Sequence, residues 1–288
     1  MVNSTQPWRL RGRDFSWGDR TYLMGILNLT PDSFSDGGQF NALAAAVPQA
    51  KALAAAGMDI LDLGGQSTRP QAVEVSLETE LERVIPVIEA VRSQGLDVPI
   101  SIDTTRAEVA ARAIAAGADL VNDVSGAMAD PEMLPIVARL GVPIILMHRR
   151  GNPRTMQQLT EYQDLVTEVY DFLADRAQAA IAAGVRAIAI DPGIGFAKTA
   201  TQSLQLLQQL SRFQNLGYPI LVGPSRKSFI GQILDQPDPK QRLWGTAAAC
   251  CGAIAGGADI LRVHDGAEMR DVCRVADALW RRGPVTKT

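Results

Sequence analysis

The chain has 288 residues, 47% of them hydrophobic, with 28 Lys and Arg against 31 Asp and Glu. That length suits one large α/β domain with a full core, and a net charge of −3 gives no reason to bind nucleic acid or an anionic membrane. No apolar run approaches the ~20 residues of a membrane span, the N-terminus lacks a secretion signal's apolar core, and Cys250, Cys251 and Cys273 form no C-x-x-C pair and leave one thiol over from any disulfide, so a reducing, cytoplasmic setting is expected.

Residues 1–20 read as an N-terminal segment in which Trp8–Arg20 alternates around Gly12 and Gly18, the pattern of a hairpin that closes the bottom of a larger fold. From residue 21 to 288 the chain reads as one catalytic domain. Short β-branched runs bounded by Gly or Pro begin near Thr21, Met58, Val98, Ala118, Pro143, Ala187, Pro219 and Asp259. Each is followed by a helical pattern: Ala42–Ala56, Glu74–Ser93, Arg106–Ala116, Glu132–Leu140, Tyr162–Ala183, Thr201–Asn215, Gln241–Ala255 and Glu268–Arg282. Gly57, Gly117, Gly141, Gly184, Gly217 and Gly257 each lie just past an Ala- or Leu-rich run, where a helix wants a left-handed residue. Eight β-then-α units predict a (β/α)8 TIM barrel. A doubly wound open sheet is the competitor, but it usually carries fewer strands and a G-x-G-x-x-G turn, which is absent.

In a barrel the chemistry collects at the C-terminal ends of the strands, and here all eight ends are polar. Asn28, Asp62, Asp103, Asn122-Asp123, His148, Asp191, the Ser225-Arg-Lys227 loop and Arg262-Val-His264 occupy those positions. Turns alone explain Asp, Asn, Ser and Gly there; they have no need of Arg262 and His264, whose i, i+2 spacing puts both on one face of a strand. First and last strands adjoin when a barrel closes, so Asn28, Arg262 and His264 meet at one rim. That rim suits phosphate, or diphosphate with Mg2+; a satisfied core histidine is the plain alternative for His264. Asp103, Asn122 and Asp191 in the same bowl suit a heterocycle with adjacent N–H donors such as an aminopyrimidinone, with Lys227 donating to its carbonyl or nitrogen. A metal cluster or an acid/base pair is also compatible with that spacing. The loops Thr30–Gly38 and Gly64–Gln71 read as lids. His148 has no second histidine at metal-ligand spacing, which argues against zinc.

Several stretches resemble the dihydropteroate synthase family: Met24–Gly38 (MGILNLTPDSFSDGG), Asp62–Pro70 (DLGGQSTRP), Ser101–Thr104, Asn122–Gly126, Met147-His148 with Pro153–Gln157, Asp191–Lys198 (DPGIGFAK), Gly223–Ser228 (GPSRKS) and Arg262–Asp265. They follow the family's order and cover about residues 21–282; Gln71 stands where a Gly often follows the Arg-Pro pair. The resemblance implies a transferase that joins 6-hydroxymethyl-7,8-dihydropterin diphosphate to 4-aminobenzoate for folate synthesis. It also implies that Asp103, Asn122, Asp191 and Lys227 hold the pterin between Met147 and Phe196. Asn28 takes Mg2+, Arg262 and His264 take the diphosphate, and Thr68, Arg69, Pro70, Ser225 and Phe34 frame the aminobenzoate, where sulfonamides compete. Asp32 and Asp36 on the first lid are expected to steady a pterin-stabilised cation. A pterin-binding methyltransferase has no use for the diphosphate seat, and a non-catalytic paralogue has no need of intact lids. Exposed Leu, Ala and Trp on the last two helices, including Trp244 and Trp280, together with the family's habit, suggest a homodimer.

Overall fold

The structure, a computed structural model, describes residues 6–30, 38–69 and 71–281. A two-stranded antiparallel hairpin, β1 (Trp8–Leu10) and β2 (Arg13–Phe15), precedes eight parallel strands. These are β3 (Tyr22–Asn28), β4 (Ile60–Gly64), β5 (Ile100–Asp103), β6 (Leu120–Asp123), β7 (Ile144–Met147), β8 (Ile188–Asp191), β9 (Leu221–Val222) and β10 (Ile260–Val263). The ladder runs β8-β7-β6-β5-β4-β3-β10-β9, and a parallel bridge from Ile190 to Ile220 joins its two ends. The expected (β/α)8 barrel is therefore present. Around it lie α1 (Gly38–Ala55), α2 (Leu77–Ser93), α3 (Ala107–Ala116), α4 (Met133–Leu140), α5 (Leu165–Ala182), α6 (Ala200–Gln208), α7 (Ser228–Leu234), α8 (Leu243–Ala255) and α9 (Gly266–Trp280).

Two apolar clusters divide the interior. Leu23, Leu27, Leu61, Leu63, Ile102, Val121, Leu146 and Val263 point outward into the helix layer. Tyr22, Met24, Ile60, Leu120, Ile145, Ala189, Leu221 and Ile260 point into the barrel, where Trp8, Leu10 and Phe15 of the hairpin close the bottom on them. Phe15 is 1% exposed, and its ring lies 4.8 Å from that of Tyr22.

The bottom of the barrel also explains a repeated Gly-x-Asp pattern. Gly57, Gly117 and Gly257 all have positive φ, as do Gly141, Gly184 and Gly217, so all six anticipated glycines take the left-handed conformation after their helices. Two residues beyond Gly57, Gly117 and Gly257 stand Asp59, Asp119 and Asp259, whose carboxylates accept from amides around the starts of neighbouring strands: Leu23 (2.8 Å), Ile100 (2.8 Å) and Ile220 (3.0 Å). Arg20, Arg92 and Arg281 balance those carboxylates. One turn thus ends a helix and satisfies an otherwise orphaned strand donor.

The structure departs from the sequence reading at several element boundaries: the helix expected from Ala42 starts at Gly38, and the one expected from Glu74 starts at Leu77, capped by Ser76. The stretch expected to be one helix over 201–215 is α6 followed by a 3₁₀ segment, Leu210–Leu216, with Gly217 as its stop. The helix expected from Tyr162 starts at Leu165, where Asp164 caps the Thr167 amide at 3.2 Å. The seven-residue α7 is not among the predicted helices: it follows Lys227 directly, and too few residues precede Asp235 to display a 3.6-residue period.

Candidate active site

Strand alternation decides which polar residues enter the bowl. Asn28 has the parity of Tyr22 and Met24, Asp62 that of Ile60, Asn122 that of Leu120, Met147 that of Ile145, Asp191 that of Ala189, and Arg262 that of Ile260; all these partners lie inside the barrel. Asp123, by contrast, faces the helix shell. Its Oδ1 accepts from the Ser125 amide (2.7 Å) and hydroxyl (2.6 Å), so this carboxylate serves a turn. Burial still pushes Asp123 up to about 6.

The centre of the bowl is a buried ionic knot. Arg262 Nε donates to Asp62 Oδ2 at 2.5 Å and its Nη2 to Asp103 Oδ2 at 2.8 Å, while Asn122 Nδ2 donates to Asp62 Oδ2 at 3.3 Å. These are the partner charges that a cation inside an apolar barrel requires. Asp62 is 0% exposed and Asp103 6%. Burial pushes Asp103 up to about 7 and outweighs the nearby Arg262 cation; the Asp62 charge pushes the same way as burial. Arg262 is held above its usual range by its two carboxylates.

Asp191, Phe196 and Lys227 form the opposite wall. Asp191 Oδ1 accepts from the Gly193 amide at 2.7 Å, and burial raises this carboxyl to about 6. Lys227 Nζ lies 4.0 Å from the Phe196 ring centroid, a cation–π contact, and burial lowers it to about 8. Met147, 2% exposed, ends β7 beside Asp191 of β8. The Asp191–Lys198 loop passes so close to β7 that a Cβ on Gly193 would sit 2.0 Å from the His148 carbonyl oxygen.

At the remaining rim, the His264 amide donates to Ser225 Oγ at 3.2 Å, and Ser225 Oγ lies 2.9 Å from His264 Nδ1. Burial and the Arg226 and Arg262 cations push His264 down to about 3, so the ring is neutral at physiological pH. Ser225 Oγ already accepts from the His264 amide, so its hydroxyl proton is free for Nδ1; in that arrangement Nε2 carries the ring proton and faces outward as a donor. Arg226 keeps φ +58 in this loop, held by its ion pair to Asp265, by Thr246 Oγ1 on its amide (3.0 Å) and by Arg242 Nη1 on its carbonyl (2.9 Å).

Asp103, Asn122, Met147, Asp191, Phe196, Ser225, Lys227, Arg262 and His264 thus gather at one end of the barrel, with Asn28 on the strand next to β10. Thr68 and Arg69 lie in the loop after β4, which the Gln71 amide ties to the Pro153 carbonyl at 2.9 Å. Asp32, Phe34, Asp36 and Pro70 lie outside the described residues. Among the described residues no three His, Cys, Asp or Glu side chains converge as a metal cluster. The sequence reading gives Asp62 no role; the structure places it under Arg262 and Asn122, and only its inward parity signals it.

Comparison with known proteins identifies the family. A sequence model of the pterin binding enzymes matches residues 24–264. A dihydropteroate synthase of Synechocystis sp. is 63% identical over 269 residues, 93% of each chain. A Xanthomonas albilineans dihydropteroate synthase solved with 4-aminobenzoic acid has a TM-score of 0.88 at 45% identity, covering 95% of this chain and 97% of its own. The same enzyme solved with 7,8-dihydropteroate has a TM-score of 0.85 at 42% identity, covering 95% and 98%. The chain belongs to the pterin-binding enzymes and, among them, to the dihydropteroate synthase family of transferases.

Proposed function

We propose that this chain condenses 6-hydroxymethyl-7,8-dihydropterin diphosphate with 4-aminobenzoate, releasing diphosphate and 7,8-dihydropteroate. The observation that carries this reading is one bowl that pairs a carboxylate-lined wall for a heterocycle with a cationic rim for a leaving group. The Asp103 and Asp191 carboxylates accept ring N–H bonds, Asn122 offers both a donor and an acceptor, and Lys227 donates to the ring. Phe196 and Met147 cover its faces.

The diphosphate lies at the rim between β10 and β3, against Arg262 and the His264 Nε2–H. Nε and Nη2 of Arg262 are engaged by Asp62 and Asp103, and its Nη1 edge remains for an anion. Asn28 supplies a neutral oxygen there, which fits a hard ion that binds through one or two protein oxygens and the substrate's phosphates; Asn28 would hold Mg2+ in this way. When bound, the ion supplies charge neutralisation to the leaving group. The methylene C–O bond breaks with its electron pair passing to the diphosphate, and donors already in place stabilise that charge. The aromatic amine's lone pair then forms the C–N bond, and its proton leaves to solvent. No strong general base is required, in keeping with a neutral His264.

The chain works as a homodimer in the cytoplasm. An apolar groove between α6, α7 and α8 is lined by Leu204, Leu207, Phe229, Ile233 and Ala248, and Trp244, next in sequence to the groove's Gly245, is 79% exposed; a second copy covers both. Three free thiols fit a reducing compartment, and no described helix is long and apolar enough to cross a membrane. Sulfonamides compete with 4-aminobenzoate.

Product formation tests the reaction. Dihydropterin diphosphate, 4-aminobenzoate and Mg2+ incubated with the protein are expected to yield dihydropteroate with one diphosphate each, and chelation is expected to suppress both. Release of diphosphate without 4-aminobenzoate is the signature of departure preceding attack. Folded protein that binds pterin and forms no product would overturn the proposal.

A further inference from the structure

Lys198 is 3% exposed, and its ammonium has two partners, neither of them a carboxylate. Nζ donates to the Phe196 carbonyl at 2.9 Å and to His148 Nδ1 at 2.9 Å. His148, also 3% exposed, packs edge-on against Phe172 with ring centroids 4.9 Å apart, and its amide donates to the Asp191 carbonyl at 2.9 Å. The loop between Asp191 and Lys198 turns through Gly193 and Gly195, which take positive φ freely, and Ala197, which takes it at a cost. Tyr162 donates to the Ala197 carbonyl at 2.9 Å, and a Cβ on Gly195 would sit 3.2 Å from Lys227 Cδ. The loop is therefore wedged between β7 and the Lys227 chain, with the half-buried Phe196 ring set against the Lys227 ammonium.

We propose that Lys198, seated on His148, is a positioning residue for pterin recognition: it ties the Phe196 carbonyl to the end of β7 and sets a positive charge behind Asp191. A purely structural buried residue at this place would be apolar, since burying an ammonium without a carboxylate partner is expensive. The ammonium is retained where its charge acts on Asp191. Burial lowers Lys198 to about 7, so it carries charge in the acid range where Asp191 titrates. The groups facing it are His148 and Arg150 from the end of β7, Asp191 of β8, Lys227 after β9 and Tyr162 before α5. Arg150 is itself neutralised by Glu168 of α5, which leaves Asp191 as the anion that Lys198 serves. His148 accepts through Nδ1 as a neutral ring, which burial and the Lys198 charge both enforce.

The inference rests on the synthase reading, and the wild-type assay comes first: absence of product there refutes that reading, while pterin affinity still reads Lys198. Lys198→Met is expected to weaken dihydropterin diphosphate binding by calorimetry, and to raise its KM, on the order of 10- to 100-fold. The KM for 4-aminobenzoate stays within about threefold, and the acid limb of kcat/KM moves to higher pH because Asp191 loses a favourable charge. His148→Asn, which keeps an acceptor near the Nδ1 position, retains pterin affinity, whereas His148→Leu loses it. That pair decides the matter if Lys198→Met does not fold. Unchanged pterin affinity in both Lys198→Met and His148→Leu, an unmoved acid limb, or equal losses for both substrates would overturn the proposal.

Discussion

Replacing Arg262 by Met removes the one cation that bonds both Asp62 and Asp103, while keeping an unbranched side chain that reaches as far as the Nε position. The two carboxylates are 0% and 6% exposed, so water cannot take over the role of the guanidinium. Breaking a buried pair from one side costs about 3–5 kcal/mol, a large part of a domain's stability of about 5–15 kcal/mol. The sign of its pH dependence follows from Asp103. Its folded value, about 7, already lies above the unfolded 3.8, so this group withdraws stability as pH rises through that window. Without Arg262 the upper edge of the window moves higher still. At pH 5.5 Asp103 holds its proton in both proteins; at pH 8.5 only wild type ionises it against a cation. The loss in Arg262→Met is thus expected to be greater at pH 8.5 than at pH 5.5, by about 1.4 kcal/mol for each unit the Asp103 value rises. Urea unfolding followed by circular dichroism, extrapolated to water at both pH values, measures this. The same loss at both would show that Arg262 contributes packing rather than charge.

Other consequences are equally open to measurement. In the pH profile of kcat/KM for dihydropterin diphosphate, activity is expected to rise through about 6 to 7 as Asp191 and Asp103 ionise and to fall above about 8 as Lys227 loses its proton; Lys227→Met removes the alkaline limb, and an alkaline limb that survived it would exclude Lys227 as its source. Ser225→Ala frees the His264 ring to choose either tautomer, and a fall of about 10- to 100-fold in kcat in stopped-time product assays is expected, less than outright loss of a charge-stabilising donor. Phe15→Ala opens the plug at the barrel bottom and is expected to cost about 3–5 kcal/mol in urea unfolding, with kcat unchanged per folded molecule. Ile233→Glu with Trp244→Lys places charge on the α7–α8 face; sedimentation is expected to show a monomer, and a dimer that persists would move the interface elsewhere.

Much of the architecture is legible in the residue order because its punctuation is chemical. Gly57, Gly117, Gly141, Gly184, Gly217 and Gly257 mark helix ends since a left-handed residue without Cβ is what those ends require. The inward face of each strand is likewise readable from alternation, which places Asp103, Asn122, Asp191 and Arg262 in one bowl. What alternation does not convey is which inward groups bond one another. Asp62 reads as one more strand-end carboxylate until the closed barrel brings Arg262, 200 residues away, within 2.5 Å. The pairing of Lys198 with His148 is hidden for a related reason: their contact depends on a loop folding back through three positive-φ residues, which carries no periodic signal. Ser225 reads as a residue beside the substrate, and only the arrival of β10 shows it against His264. Helix α7 is too short for its own period, and its start is dictated by the loop that holds Lys227.

The most direct test of the site is the position of the pterin ring in crystals of this chain grown with dihydropterin diphosphate. The expected result is a ring between Phe196 and Met147, its N–H edge against Asp103, Asn122 and Asp191, and its diphosphate toward Arg262, His264 and Asn28. A ring bound elsewhere, or a diphosphate turned away from β10 and β3, would contradict the assignment.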